Sequence, residues 1–246
     1  MGSTEVGLAV VLEHQWLIVP TRLTRTLCEK MNASYEIRDH EHGLGKVLWL
    51  KQAWESHFKS ILEDEGISAV RFSALGSIKD LDLSCLAEMP FLRGLEIYDW
   101  EVTDARIVEE LPNLEVLGLQ IKRTKPIDFS RLPKLRVALM TWCKGLEGVF
   151  SSPELEYLNV SNFPLEDLRP LSALQSLRRL SLTSRKLRSL SGIADLRLLE
   201  DLDLYDCRVL EDDEGLDSLP NLKRLEIEAC NKLKTTMQKK TLDTKT

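Results

Sequence analysis

The chain has 246 residues, 43% of them hydrophobic and 29% charged, with a formal net charge of -6. That is long and apolar enough to bury a core and excludes disorder throughout. An acidic balance without any Lys/Arg-rich run argues against nucleic acid as a main partner, because phosphate backbones are held by clustered positive charge.

Residues 6–19 form the most apolar stretch near the start, but Glu5 precedes it and Glu13, His14 and Gln15 break it. Neither a signal peptide nor a membrane span fits that pattern, and the chain reads as cytoplasmic. Residues 6–12 and 16–19 read as hairpin strands. Residues 21–31 read as a helix with Leu23, Leu27 and Met31 on one face, and 35–37 as a short extended piece. Asp39, His40, Glu41 and His42 form the one cluster of metal-ligand types. Zinc needs three or four rigidly held ligands, so a polar connector is the better reading and no metal is expected. A second helix is expected over 52–65, with Trp54, Phe58 and Ile61 facing inward and Gly66 as its stop.

From Leu44 to Leu233 about one residue in five is leucine, roughly twice the ordinary share. The pattern L-x-x-L-x-L recurs nine times in one frame: Leu44/Val47/Trp49, Ile67/Val70/Phe72, Leu92/Leu95/Ile97, Leu114/Leu117/Leu119, Leu135/Ala138/Met140, Leu155/Leu158/Val160, Leu177/Leu180/Leu182, Leu199/Leu202/Leu204 and Leu222/Leu225/Ile227. First positions are 20 to 25 residues apart. Upstream of most matches runs an apolar series of period three, such as Leu86, Met89, Leu92 or Leu171, Leu174, Leu177. Period three suits a 3₁₀ turn and the alternating L-x-L suits a short strand. One such unit cannot bury its own leucines, whereas stacked units share a core.

The residues resemble leucine-rich repeat proteins, and repeats near 22 residues look most like the class found in phosphatase regulators and many bacterial proteins. The resemblance implies an α/β solenoid, a curved horseshoe with a parallel concave sheet and 3₁₀ or short helical convex returns. It implies residues 1–43 as an N-terminal cap, 44–233 as about nine rungs and 234–246 as a polar, disordered tail. The family usually places Asn three residues after the last strand leucine. Here Cys143, Cys207 and Cys230 hold that position in three rungs and Gln52, Leu75, Trp100, Lys122, Phe163 and Arg185 in others, so an irregular solenoid is expected. Cys207 and Cys230 would lie on adjacent rungs, close enough to bridge, with buried free thiols favoured in a reducing compartment.

The residues alternating with the leucines point to the concave face. Val116, Ile121, Val137, Leu139, Trp142 and Tyr157 would form a central apolar and aromatic patch. Asp201, Asp203, Tyr205, Asp206, Glu226 and Glu228 would line the C-terminal rungs, and Glu96, Tyr98, Asp99 and Trp100 the other side. An aromatic centre flanked by carboxylates suits a basic protein partner. The alternatives are that some of Val116, Val137 and Leu139 pack under a neighbouring loop, that Trp142 turns into the 144–148 turn, and that the acidic columns are only a solvated face. No catalytic motif, cofactor or membrane partner is expected. The reading is a non-catalytic protein-binding module, an inhibitor or immunity protein for a basic toxin, with an adaptor or regulatory scaffold as the alternative.

Overall fold

A computed structural model describes residues 9–12, 15–18, 34–73 and 82–233. The chain divides into two units, 1–34 and 35–246. In the first, β1 (Ala9–Leu12) and β2 (Gln15–Ile18) form the expected hairpin, with Val11 opposite Trp16. The helix expected over 21–31 and the tail 234–246 lie outside the described residues.

The second unit is built on one ten-stranded sheet. Its strands are β3 (Tyr35–Asp39), β4 (Lys46–Leu50), β5 (Ala69–Ser73), β6 (Gly94–Asp99), β7 (Val116–Ile121), β8 (Val137–Thr141), β9 (Tyr157–Ser161), β10 (Arg179–Thr183), β11 (Asp201–Tyr205) and β12 (Arg224–Glu228). They lie in chain order; β4 through β12 are all parallel, and β3 is antiparallel to β4. Helix α1 (His57–Asp64) joins β4 to β5. It is shorter than expected but ends at Gly66, whose φ is +64°. Ile67 N–H donates to Leu62 C=O and Gly66 N–H to Glu63 C=O, the paired bonds of a Schellman cap.

Later returns are 3₁₀ turns, and the period-three series explains them. Leu86 N–H donates to Leu83 C=O, Met89 to Leu86 and Leu92 to Met89. Leu171, Leu174 and Leu177 repeat the scheme, as do Ile193, Leu196 and Leu199. Each of these apolar residues therefore buries its side chain and closes a three-residue turn with its backbone N–H. The strand leucines fill the other wall, and Leu95, Leu117, Leu158, Leu180 and Leu202 are fully buried.

The first rung departs from the expected frame by one residue. Leu48 pairs with Val70 and Leu50 with Phe72, while Trp49 lies beside Arg71. The core residues are thus Leu48 and Leu50, and Val47 and Trp49 face the concave side. A one-residue slip exchanges the two faces of a strand. The run Val47-Leu48-Trp49-Leu50 is apolar throughout, so alternation could not choose between them.

From β9 onward the turn is closed in two ways. Phe163, Cys207 and Cys230 turn inward after Asn162, Asp206 and Ala229, which have φ of 61°, 53° and 56°. In the β10 rung Ser184 turns inward directly: its Oγ donates to Phe163 C=O at 2.8 Å and accepts from Lys186 and Leu187 N–H. Cys207 Sγ reaches Leu182 C=O and Cys230 Sγ reaches Leu204 C=O, and both thiols are buried and unbridged. The neighbouring Cys230 thiol and burial push the Cys207 thiol well up.

One ordered feature escaped the repeat reading. The residue after each rung's first leucine alternates in charge: Arg93, Glu115, Arg136, Glu156, Arg178, Glu200, Lys223. Arg93–Glu115, Arg136–Glu156, Arg178–Glu200 and Lys223–Glu200 are ion pairs of 2.5 to 2.8 Å along one rim of the sheet.

Candidate protein-binding face

Parallel register turns the concave face into columns. One runs Ala69, Gly94, Val116, Val137, Tyr157, Arg179, Asp201, Arg224. The next runs Trp49, Arg71, Glu96, Gly118, Leu139, Asn159, Ser181, Asp203, Glu226. The two ends of these columns meet different surroundings.

At the β4–β7 end the face is covered by the chain itself. The turn between β3 and β4, residues 40–45, folds back over the first column. Leu44 is buried in a small apolar cluster with Val47, Ala69 and Val116, with Val137 against it. His42 lies on Tyr157 at 5.9 Å between ring centroids. Gly94 provides the clearance, since a Cβ there would sit 2.8 Å from both Ala69 Cβ and Leu44 Cδ1. Leu44 is thus a loop anchor rather than the first leucine of a rung.

Beneath this loop lies a buried polar cluster. Glu96 is 1% exposed and Arg71 7%. Arg71 Nη2 is 2.9 Å from the Glu96 carboxylate, the Tyr98 hydroxyl also donates to it, and His40 Nε2 is 3.4 Å away. Arg71 lies over Trp49 at 5.1 Å, with Arg38 over the same indole at 3.9 Å. Burial alone would push the Glu96 carboxyl up, but His40, Arg71 and Tyr98 outweigh it and hold it below the usual carboxylate range. Burial, and then the Glu96 charge, push the Tyr98 hydroxyl well up. A Cβ on Gly118 would meet Glu96 Cγ and Tyr98 Oη at 2.9 Å, so the smallest residue makes room for both.

Several expected contact residues are therefore not available. Glu96, Asp99, Val116 and Ile121 are buried. Val116 is under the loop, while Ile121 turns into the core. Asp99 closes the turn after β6, accepting from Glu101 N–H at 2.9 Å. Trp142 stacks on Phe150 at 5.1 Å and 4°, so it packs against the 147–151 return rather than standing in the groove. Tyr98, Val137, Leu139 and Tyr157 are half-buried. Trp100 is 56% exposed.

The loop reaches Val137 and Tyr157, and beyond them the β10–β12 end is open. Tyr205 is 52% exposed, and Glu226 and Glu228 are exposed. Asp201, Asp203 and Asp206 are half-buried, and each has a basic partner. Arg179 and Arg224 pair with Asp201, Arg224 and the Ser181 hydroxyl with Asp203, and Arg208 with Asp206. Arg224 also holds Glu226 at 2.9 Å. Much of the acidity read as a column is internally paired, which leaves five carboxylates against Arg179, Arg208 and Arg224. Toward the middle the face carries Thr141, Asn159, Ser161, Ser181 and Thr183, a polar uncharged strip.

Among the described residues no group of three or more His, Cys, Asp or Glu is placed to hold a metal, and no helix is long and apolar enough to cross a membrane.

Ten strands in order, nine of them parallel, with 3₁₀ returns and a shared leucine core make this a leucine-rich repeat solenoid. No protein-family model and no curated sequence matches the chain. Among solved structures, internalin F from Listeria monocytogenes is 19% identical with a TM-score of 0.46, covering 75% of this chain and 65% of that one. Internalin C2 from the same organism is 17% identical with a TM-score of 0.39, covering 74% and 71%. A leucine-rich repeat protein of Leptospira interrogans is 15% identical with a TM-score of 0.43, covering 73% and 52%. The matched part thus spans less than two thirds of internalin F and about half of the Leptospira protein.

Proposed function

We propose that this chain is a protein-binding module that docks its partner on the open, β10–β12 part of the concave face. The observation that carries the reading is Tyr205: an aromatic ring 52% exposed at the centre of the last rungs, flanked by Asp203, Glu226 and Glu228. A large amphipathic side chain with a carboxylate surround is the composition of a binding hot spot for a partner rich in Lys or Arg. An inhibitor or immunity role, covering the working surface of a basic protein such as a toxin, is the finer form of this proposal.

The test is affinity capture with matched folded variants at two salt concentrations. Tyr205→Ala and Glu228→Lys should each lose a specific binder, at least about tenfold for the tyrosine, and added salt should weaken what remains. Phe91→Ala and Leu198→Ala, in the returns, should retain it. Binding that ignores the first pair and responds to the second would move the interface to the returns and favour an adaptor.

A further inference from the structure

We infer that the 40–45 loop is an acid-released strap: neutral His40 and His42 hold it over the concave face, and protonation frees it to uncover the apolar column beneath. The inference stands apart from the binding proposal, which concerns the other end of the face.

The closed geometry leaves no place for a second proton on His40. Its Nδ1 accepts the backbone N–H of His42 at 3.1 Å, so the ring's one proton belongs on Nε2, which points at Glu96. A proton on Nδ1 would set two donors against each other and break the bond that shapes the turn. The remaining turn bonds are His40 N–H to Gly45 C=O and Gly43 N–H to His40 C=O, with both glycines at φ +77°. The groups facing His40 are Glu96 and Tyr98 from β6, Arg71 from β5, and Glu41 and His42 from the loop. Glu96 is already compensated by the Arg71 guanidinium, so an imidazolium would add a second buried cation to a satisfied pair. His42 packs on Tyr157 from β9; Arg71 and His40 oppose a positive charge on it, and the Glu96 and Glu41 carboxylates favour one. Burial lowers the His42 imidazole from its ordinary range.

The sign follows. In the closed loop burial holds the His42 imidazole below its ordinary range, so closure is favoured above that range and weakens as pH falls through it. For each proton taken up on opening, the closed-to-open ratio falls about tenfold per pH unit. Opening exposes Leu44, Ala69, Val116 and Val137 together, extending the free face beyond β10–β12.

The experiment is NMR on the full chain from about pH 8 to about pH 5, following the His40 and His42 ring protons, the His42 amide, a Val116 methyl and, as a core control, a Leu180 methyl. The histidine protonation, the loss of the His42 amide position and the Val116 shift should coincide, with Leu180 unmoved. His40→Asn with His42→Phe, which retains an acceptor near the Nδ1 position and a ring on Tyr157, should stay closed throughout. Protonation with the amide and methyl unmoved, a loop that stays closed at the acid end, simultaneous loss of the Leu180 signal, or a double variant that opens like the parent would each overturn it.

Discussion

Glu96 and Glu226 occupy the same column of the same sheet, each between two apolar residues that face the core. Glu96 is sealed among Arg71, Tyr98 and His40, whereas Glu226 is exposed beside Arg224. Position in the repeat is identical, so the difference comes from what lies across the face: a loop of the chain's own at one end, nothing among the described residues at the other. In a solenoid of this kind the repeat decides which side chains point outward, and the connections between rungs decide which of those are available to a partner.

The contrast can be broken in steps. Leu180→Asp strikes the core that both ends share; burying a charge between rungs should cost about 4 kcal/mol or more and abolish a cooperative melt near the parent's temperature. Glu96→Gln leaves the buried Arg71 with only the exposed Glu41 carboxylate, 3.4 Å away, as counter-charge and should cost about 3 kcal/mol in chemical denaturation. Ser184→Ala, at the open end, strips a buried turn of its hydroxyl and leaves a carbonyl and two N–H groups unsatisfied, for about 2 kcal/mol. Glu226→Gln should change stability by no more than about 0.5 kcal/mol, because exposed ion pairs contribute little. If the two glutamates cost the same, the division into a sealed and an open end is wrong.

The architecture was legible because it is encoded locally. Leu95/Ile97 and Leu180/Leu182 announce strands by alternation, and Leu86, Met89 and Leu92 announce a 3₁₀ return by spacing. What the sequence did not disclose depends on distant contacts. Val116 is apolar on a concave position because Leu44, more than seventy residues earlier, sits on it. The same loop reaches as far as Tyr157, and no periodicity encodes that crossing. The acidic column carries less free charge than its composition suggests, since Arg179, Arg208 and Arg224 each stand next to a carboxylate they neutralise. Trp142 belonged to the return it precedes, an outcome that turned on whether Phe150 would lie within stacking reach.

The alternating rim from Arg93 to Lys223 imposes a rule of parity. A strand that docks on its neighbour meets an opposite charge, whereas one that skips a rung meets its own sign: Arg136 would face Arg178, and Glu156 would face Glu200. Each encounter is worth only a few tenths of a kcal/mol, yet from β6 to β12 the bias acts at every step of stacking and always against the same error. It also constrains how such a chain could lengthen or shorten. Loss of one rung would bring like charges together at the seam, while loss of two adjacent rungs would leave the alternation intact.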